Sequence, residues 1–544
     1  MSISTGFVDR LKNRALHEGK FQNAIVAVVL AVFFIIVFLS ARGLTLTYDE
    51  EFHYAYGLQI LNLNSNRFDD SKMPFSAMNA IPGKIAVYLP PGDLKARLED
   101  VAAGRIFTML FSALVGFLVF WWSKKLYGFL PGLFSLILYT WEPNIIAHSQ
   151  LVTTDIYAVG MIAFSTFVLW RFSKHRDFKY ALLLAVALGL SQLAKYTSIF
   201  LYPLFIILIL IHDAPFLWKS FISRDFKKLT KYLGQMTLYA IMVVIIGVLI
   251  INIGFLFNQT GDPISTYKFR SDTFKNIQTR VMAVGDLPVP LPYPFLQGLD
   301  DVRQRERSGR GYGNIYLLGQ LRKDGFIGYY FYAYLYKVPI ATQIIFLISV
   351  AVYLVRQKRF RFLENELFLI GPLIFFSIYF NFFYQAQIGI RYFLVVFPFI
   401  FVFSGSLLSG WQEFRRISKI AIGSLLIYLC ISVLSYYPNY IPYFNEIVYD
   451  RRFAYKILAD SNLDWGQADG YALKYLESHS DTLIELDKPQ AGRILISAND
   501  LVGITAEPET YQWLRDNFAP VGTVAYAYLL YDITPNELAR ILPP

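Results

Sequence analysis

Charged residues are scarce in this chain: Asp, Glu, Lys and Arg together make up 17% of its 544 residues. Because a soluble globular protein carries about 25% of such residues, this deficit excludes an ordinary soluble domain. The uncharged residues are gathered in continuous apolar segments of roughly 17–25 residues, the length that crosses the core of a bilayer. Since these segments are continuous and not alternating, they predict membrane helices and not the strands of a membrane barrel.

Cysteine is represented by a single residue, Cys430, so an intrachain disulfide is excluded. We interpret its thiol as a small side chain inside a late apolar segment. Acidic residues are fewer than basic ones, which gives a net charge of +10. In a soluble protein this excess would suggest a nucleic-acid partner. Here Lys and Arg cluster between the apolar segments, which is typical of membrane topology, and we expect no nucleic-acid partner.

The apolar segments predict about eleven transmembrane helices. If the amino terminus is cytoplasmic, every cluster of Lys and Arg in a short loop falls on the cytoplasmic side, as the positive-inside rule requires. The carboxy terminus is then extracytoplasmic. The predicted helices cover about 22–40, 104–122, 129–146, 156–171, two helices within 180–212, 233–256, 337–355, 366–383, 392–409 and 420–437.

The predicted transmembrane domain extends over residues 1–439 and contains two long external segments, 41–103 and 257–336. Over residues 440–544 the apolar runs shorten to strand length, which indicates a small extracytoplasmic α/β region. Its predicted strands are 493–497 and 523–530, and its predicted helices lie near 466–478 and 508–518.

Ionisable residues at the ends of the predicted helices fall on one external face. Asp49 and Glu50 directly follow the first helix, and Asp155 precedes the fourth. Lys195 and Arg391 are the basic residues of the short external turns. Ionisable groups beside a membrane helix are costly unless they are solvated or paired, so they indicate function by default.

Structural interpretations of the same residues stay open. Asp49 and Asp155 each precede a helix and could cap it. Lys195 could extend to the lipid headgroups, and Arg391 could pair with one of the acids.

Five short motifs occur in order along the chain: Tyr48-Asp49-Glu50, the stretch from Pro143 to Asp155, Lys195-Tyr196-Thr197, Arg391-Tyr392-Phe393 with Pro398, and the stretch from Asp460 to Gln467. Together they resemble the membrane glycosyltransferases of the GT-C fold. The most similar group is glycosyltransferase family 39, the PMT-like group that includes protein O-mannosyltransferases and aminoarabinose transferases. The resemblance covers most of residues 40–470.

This resemblance implies a GT-C architecture and transfer of a sugar from a polyprenyl-phosphate carrier to an acceptor hydroxyl at the outer membrane face, with inversion. It also implies a bacterial inner membrane. Attack at an anomeric carbon passes through an oxocarbenium-like state and needs a base near the acceptor hydroxyl. By resemblance that base is Asp49, and Glu50 orients it or pairs with a cation. Asp155 is a second carboxylate that could position the acceptor, share a metal or hold a partner.

The lipid phosphate that leaves in such a reaction is an anion and needs cationic ligands. Lys195 and Arg391 are the candidates. His53, Tyr54 and His148 are candidate contacts for donor or acceptor.

Asp464 is a further candidate contact, although it could equally cap the predicted helix that follows it. Acids together with two histidines could bind a divalent metal, which stays an open alternative. No H-E-x-x-H spacing or comparable pattern occurs, so we assign no metal ligand and no cofactor.

The chain departs from some members of the resembled group. It has no Trp-Trp-Asp motif of oligosaccharyltransferases and no repeats of a lumenal β-trefoil. The acceptor is therefore left open as a glycan, a lipid or a protein. Alternative functions are a lipid-linked saccharide ligase or polymerase, and a flippase or transporter. A transporter would place charges near the middle of the membrane, and the predicted helix interiors are almost free of charge. A non-catalytic scaffold would make the external acids dispensable.

Overall fold

A computed structural model describes residues 19–65, 72–308, 313–484, 486 and 488–541. Helices dominate the described part of the chain, and we number them in chain order. In the first half they are α1 (Gly19–Ala41), α2 (Glu50–Leu61), α3 (Ser76–Ala86), α4 (Asp93–Glu99), α5 (Arg105–Tyr127), α6 (Phe129–Thr140), α7 (Pro143–Ser149), α8 (Asp155–His175), α9 (Phe178–Ala194), α10 (Leu201–Ile222) and α11 (Phe226–Gly254). The predicted cytoplasmic placement of residues 1–18 lies outside the described residues.

The second half continues with further helices and adds five short strands. Its helices are α12 (Asp272–Met282), α13 (Tyr293–Ser308), α14 (Tyr329–Lys337), α15 (Ile340–Val355), α16 (Leu367–Phe382), α17 (Phe397–Ser404), α18 (Arg416–Leu434), α19 (Asp469–Ser478), α20 (Ala498–Val502), α21 (Gln512–Asn517) and α22 (Pro535–Ala539). Its strands are β1 (Ile315–Leu317), β2 (Gln320–Arg322), β3 (Gly492–Ser497), β4 (Gly522–Val524) and β5 (Tyr528–Ile533).

The fold is that of a polytopic α-helical membrane protein, as predicted. Among the described residues, 7 helical segments are long and apolar enough to cross a bilayer, or 8 if α14 and α15, which meet at 111°, form one span. The predicted number of about eleven spans is not confirmed. Three more apolar helices, α6, α9 and α16, have only 12, 17 and 16 residues. At 1.5 Å per residue they reach about 18–26 Å, which is shorter than a bilayer core of about 30 Å.

The helix predicted over 129–146 is wrong at its carboxyl half, because the structure breaks it in two. Helix α6 ends at Thr140, and α7 starts at Pro143. Proline has no backbone N–H to donate and keeps the preceding residue out of the helical conformation. Glu142 accordingly has extended backbone and caps α7 by accepting from the backbone N–H of Asn144 at 3.4 Å.

The apolar stretch 180–212 forms two helices, as predicted. Helix α9 ends at Ala194, and a 3-10 turn over Tyr196–Phe200 leads into α10. Lys195 lies between them with extended backbone, at φ −162° and ψ 145°. The break therefore removes Lys195 from both helices and places it in the connecting turn.

The carboxy-terminal region contains a three-stranded antiparallel sheet in the order β3-β5-β4. The single strand predicted over 523–530 is wrong, since the structure folds these residues into a hairpin of β4 and β5. Ala525 and Tyr526 turn the chain with left-handed backbone, at φ 51° and φ 59°. This region shares one buried core with the membrane helices, because residues such as Ile496 and Phe33 belong to the same hydrophobic cluster. The division at residue 439 stays a prediction.

Candidate functional site

A cavity of about 660 Å³ brings together ionisable residues that are far apart in the sequence. Five of the predicted site residues line it, namely Asp49, His53, Asp155, Lys195 and Arg391. The wall also contains basic and acidic side chains that the sequence analysis did not assign: Lys72, Arg303, Arg305 and Glu306. Cations therefore outnumber carboxylates around the cavity, which favours an anionic ligand.

Asp49 lies in the connection between α1 and α2, at the edge of the cavity. Its Oδ2 accepts a hydrogen bond from Nη1 of Arg391 at 3.0 Å, and its Oδ1 lies 3.7 Å from Nζ of Lys72. About 31% of the Asp49 side chain is exposed, against 9% for Arg391. The carboxylate is thus both charge-paired and open to the cavity.

A second carboxylate–cation pair lies beside the first. Lys195 donates to Oδ1 of Asp155 at 2.5 Å, and both side chains are largely buried. The Nζ atom of Lys195 also lies 4.1 Å from the ring centroid of Tyr392, the neighbour of Arg391 in sequence. The two ion pairs are therefore joined through one aromatic ring and face the same cavity.

Arg391 is buried but not saturated with hydrogen bonds. It lies in a 3-10 turn over Ile390–Val396 and is 8% exposed. Its Nε–H has no hydrogen-bond partner among the described residues. An unpaired buried donor on a charged group costs free energy, so this N–H is suited to an anion entering the cavity.

Electrostatics keep Asp49 ionised and His53 neutral. Burial alone would raise the pKa of the Asp49 carboxyl, but the charges of Arg391 and Lys72 outweigh it and lower the pKa to about 2. Burial, with the charge of Lys72, lowers the pKa of His53 to about 3. The Nδ1 atom of His53 lies 3.0 Å from Oγ of Ser76, which orients the ring.

Glu50 follows Asp49 directly but does not line the cavity. Its side chain is fully buried and bonds Arg105, which donates from Nε at 2.9 Å and from Nη2 at 2.8 Å. Glu50 also accepts from the backbone N–H groups of Thr47 and Val152, each at 2.8 Å. It therefore joins the start of α2 to α5 and to the loop before α8. Sequence reasoning missed Arg105, although a lone arginine at the start of a long apolar helix was a usable signal.

The other candidate contacts lie outside the cavity wall. Tyr54 is buried, and its hydroxyl donates to the backbone carbonyl of Glu99 at 3.5 Å. His148 is buried with its ring centroid 6.1 Å from that of Trp465. Asp464 is buried and accepts from the backbone N–H of Gly466 at 3.0 Å. It does not cap α19, which begins only at Asp469.

Metal binding has no preformed ligand set in the part of the chain that the structure describes: no group of three or more His, Cys, Asp and Glu side chains converges on one point. The carboxylates that face the cavity are instead paired with cations, in the salt bridges Asp49–Arg391, Asp155–Lys195 and Glu306–Arg303. Such an arrangement can bind a phosphate through its cations and can remove a proton through a carboxylate.

Comparison with protein families finds a match to the family described as dolichyl-phosphate-mannose-protein mannosyltransferase, over residues 97–251. The matched range contains Asp155, Lys195 and Arg105, whereas Asp49 and Arg391 lie outside it. A comparison with curated protein sequences finds no match.

Several solved structures are similar to this chain at low sequence identity. The oligosaccharyltransferase of Archaeoglobus fulgidus, tethered with an acceptor peptide, is 11% identical with a TM-score of 0.45, over 78% of this chain and 55% of that chain. The archaeal oligosaccharyltransferase AglB of the same organism, in complex with an inhibitory peptide and a dolichol-phosphate, is 12% identical with a TM-score of 0.45, over 92% and 66%. This chain thus spans roughly half to two thirds of the length of these enzymes.

ArnT from Cupriavidus metallidurans, bound to undecaprenyl phosphate, is 12% identical with a TM-score of 0.28, over 93% of this chain and 97% of that chain. The family match confirms the resemblance indicated by the sequence motifs over residues 97–251, which contain the stretch from Pro143 to Asp155 and Lys195-Tyr196-Thr197. The chain is a polytopic α-helical membrane protein whose residues 97–251 match the dolichyl-phosphate-mannose-protein mannosyltransferase family.

Proposed function

We propose that this protein is a membrane glycosyltransferase that moves a sugar from a polyprenyl-phosphate carrier to an acceptor hydroxyl, with inversion at the anomeric carbon. The observation that carries the proposal is the pair of salt bridges, Asp49–Arg391 and Asp155–Lys195, which open into one cavity lined by an excess of cations. The related ArnT and AglB structures were determined with undecaprenyl phosphate and dolichol-phosphate, which supports a lipid phosphate as ligand.

In the proposed reaction, the acceptor oxygen forms a bond to the anomeric carbon while the bond from that carbon to the phosphate oxygen breaks. The phosphate leaves with the bonding electron pair, and Lys195 and Arg391 stabilise its charge. Asp49 takes the proton of the acceptor hydroxyl as general base. One displacement on the face opposite to the leaving group gives inversion.

Asp155 acts in this scheme by holding the ammonium group of Lys195, and Glu50 acts by fixing the loop that carries Asp49. The distances support these roles, since Lys195 lies 2.5 Å from Asp155 and Arg105 lies 2.8 Å from Glu50. We propose that His53 contacts the acceptor, because it lines the cavity one helical turn from Asp49.

The cavity is proposed to face the outside of a bacterial inner membrane, with the amino terminus cytoplasmic and the carboxy terminus extracytoplasmic. Helix α8 begins at the cavity with Asp155, and at its other end Lys174 lies in the last turn and Arg176 lies just beyond it. Basic residues of this kind favour the cytoplasmic side. The acceptor class, whether glycan, lipid or protein, is open in the proposal.

The test uses the full chain in lipid nanodiscs with a panel of polyprenyl-phosphate sugars, and it follows release of the free lipid phosphate. With the correct donor and acceptor, Asp49→Asn is expected to lower kcat by about 10²–10⁴-fold while donor binding persists, because the variant lacks the base.

The matched control is Asp481→Asn, which changes an exposed carboxylate of the carboxy-terminal region and is expected to keep full activity. Unchanged turnover in Asp49→Asn would overturn the base assignment. Donor binding with transport of the intact lipid across the membrane and no sugar release would favour the flippase. Turnover only with an added polyprenyl-diphosphate-linked saccharide, with release of polyprenyl diphosphate, would favour the ligase or polymerase.

A further inference from the structure

The stretch Asp460–Gln467, called here the 460–467 segment, has no chemical role in the proposed reaction. It nevertheless lies between the two loops that carry Asp49 and Arg391. A 3-10 turn over Asp460–Asn462 starts the segment, and α19 follows after its end. Its polar residues could therefore serve either the start of that helix or the cavity.

On one side the segment pairs with the backbone that surrounds Asp49. The backbone N–H of Tyr48 donates to the carbonyl of Trp465 at 3.2 Å, and that of Thr45 donates to the carbonyl of Gln467 at 3.2 Å. Gly466 permits this approach. Its φ is +88°, and a Cβ there would lie 3.3 Å from the ring of Tyr48.

On the other side the segment binds the turn that carries Arg391. The backbone N–H of Ile390 donates to Oδ1 of Asn462 at 3.0 Å. The hydroxyl of Ser461 donates to the carbonyl of Ile388. The segment is thus attached to the residues immediately before both members of the Asp49–Arg391 pair.

Trp465 connects the segment to the guanidinium group itself. The Cζ atom of Arg391 lies 3.9 Å from the ring centroid of Trp465, and Trp465 is 5% exposed. The N–H groups of a guanidinium lie in its own plane. When an aromatic ring covers one face of that plane, the N–H groups still point outward from the edge and can bind other partners. One edge of Arg391 reaches Asp49 at 3.0 Å, while its Nε–H has no partner among the described residues.

We infer that the 460–467 segment is a positioning element of the active site, in which Trp465 fixes the Arg391 guanidinium for the phosphate of the lipid donor. This inference rests on the proposed function, since it assigns Arg391 to that phosphate. Trp465 acts through Arg391 and is a positioning residue, not a catalytic one.

Donor affinity is the quantity that this arrangement controls. Loss of the aromatic ring in Trp465→Leu frees the guanidinium to take other rotamers, so each binding event must order it again. We expect the Kd for undecaprenyl phosphate to rise about tenfold, while kcat at saturating donor changes less than about threefold. Because Trp is a stronger partner for a cation than Phe, Trp465→Phe is expected to restore most of the affinity but not all.

The experiment titrates the full-length wild-type chain and both variants in nanodiscs with undecaprenyl phosphate, and with undecaprenol as the uncharged control. A purely structural role of Trp465 would weaken both lipids equally or lower the folded fraction, whereas the inference predicts a loss confined to the phosphate. Equal affinity of the wild type and Trp465→Leu for undecaprenyl phosphate would overturn it. If Trp465→Leu does not fold, Trp465→Phe is compared with the wild type instead. A weaker affinity for undecaprenyl phosphate but not for undecaprenol would support the inference, and equal affinity for undecaprenyl phosphate would overturn it.

A second measurement separates this inference from the proposed function. In an Arg391→Lys background, Trp465→Leu should have little further effect, because the two side chains act as one unit. Additive losses would overturn the inference and leave the phosphate site intact. Absence of undecaprenyl phosphate binding to the wild type would instead contradict the proposed function.

Discussion

A buried ion pair lies at each end of helix α8, and the two pairs differ in what else surrounds them. The helix has 21 residues, which separates its ends by about 31 Å. At its start, Asp155 pairs with Lys195 at 2.5 Å beside the Asp49–Arg391 pair. Just beyond its end, Arg176 donates to both oxygens of Asp213, at 2.6 and 2.7 Å.

The pair at the far end is saturated. Asp213 accepts a further hydrogen bond from the hydroxyl of Tyr232 at 2.5 Å, and Nδ1 of His212 lies 2.6 Å from it. Burial is similar for the two carboxylates, at 5% exposure for Asp155 and 7% for Asp213. An ion pair and burial are therefore not enough to identify a site. What distinguishes the start of α8 is the cavity that its pairs face.

The largest expected difference comes from the same substitution at the two ends. Asp155→Asn removes the charge that holds Lys195 at the cavity, so we expect kcat/KM for donor to fall about 10³-fold. Asp213→Asn disrupts a saturated pair outside the site, and its kcat/KM should stay within about threefold of the wild type. Steady-state assays of both variants, at a temperature where both are folded, check this. Comparable losses of kcat/KM in the two variants would show that the pair at the far end of α8 matters for activity as much as the pair at the cavity.

A second contrast lies between the adjacent acids Asp49 and Glu50. Glu50→Gln leaves the Arg105 guanidinium buried without its counter-ion, which is expected to lower the free energy of unfolding by about 3 kcal/mol. Thermal unfolding in nanodiscs measures the loss, with the exposed Glu477→Gln as control. Activity per folded molecule should change less than about threefold. A normal unfolding temperature together with lost activity would move Glu50 into the chemistry.

The sequence patterns indicated which residues lie at the cavity, but they did not indicate which residues contact one another there. Asp49, Asp155, Lys195 and Arg391 each lie at a helix end, and local hydropathy with the distribution of charge shows such positions. The partner of each residue depends on tertiary packing. Positions 49 and 391 meet only because helices far apart in the chain pack together, and no local pattern encodes that contact.

Other errors have local causes. The hairpin at Ala525 and Tyr526 contains no glycine, proline or asparagine in its turn, so an apolar run concealed it. Proline at position 143 was visible and signals a helix start, yet the apolar run suggested one continuous helix. The contact between Trp465 and Arg391 could not be predicted from the residue type, because a tryptophan packs in a hydrophobic core as readily as it contacts a cation.

The smallest expected effect concerns pH. Burial lowers the pKa of His53 to about 3, so below pH 6.5 the unfolded chain binds a proton that the folded chain excludes. The contribution of His53 to stability is therefore complete above pH 6.5 and is lost as the pH falls. When the pH falls from 6.5 to 5, the free energy of unfolding of the wild type should drop by about 1–2 kcal/mol more than that of His53→Gln. The control is His175→Gln, which changes an exposed residue at the far end of α8. Its free energy of unfolding should drop as much as that of the wild type over the same pH interval.

We expect an anion to bind at the start of α8 and not at its far end. This expectation is tested most directly by the affinity of the full chain for undecaprenyl phosphate in two matched variants, Arg391→Lys and Arg176→Lys. Lysine keeps the charge but loses the planar fork of donors, so we expect Arg391→Lys to bind undecaprenyl phosphate at least tenfold more weakly than the wild type. Arg176→Lys should bind as the wild type does. Unchanged affinity in Arg391→Lys, or an equal loss in both variants, would show that the lipid phosphate does not bind at Arg391.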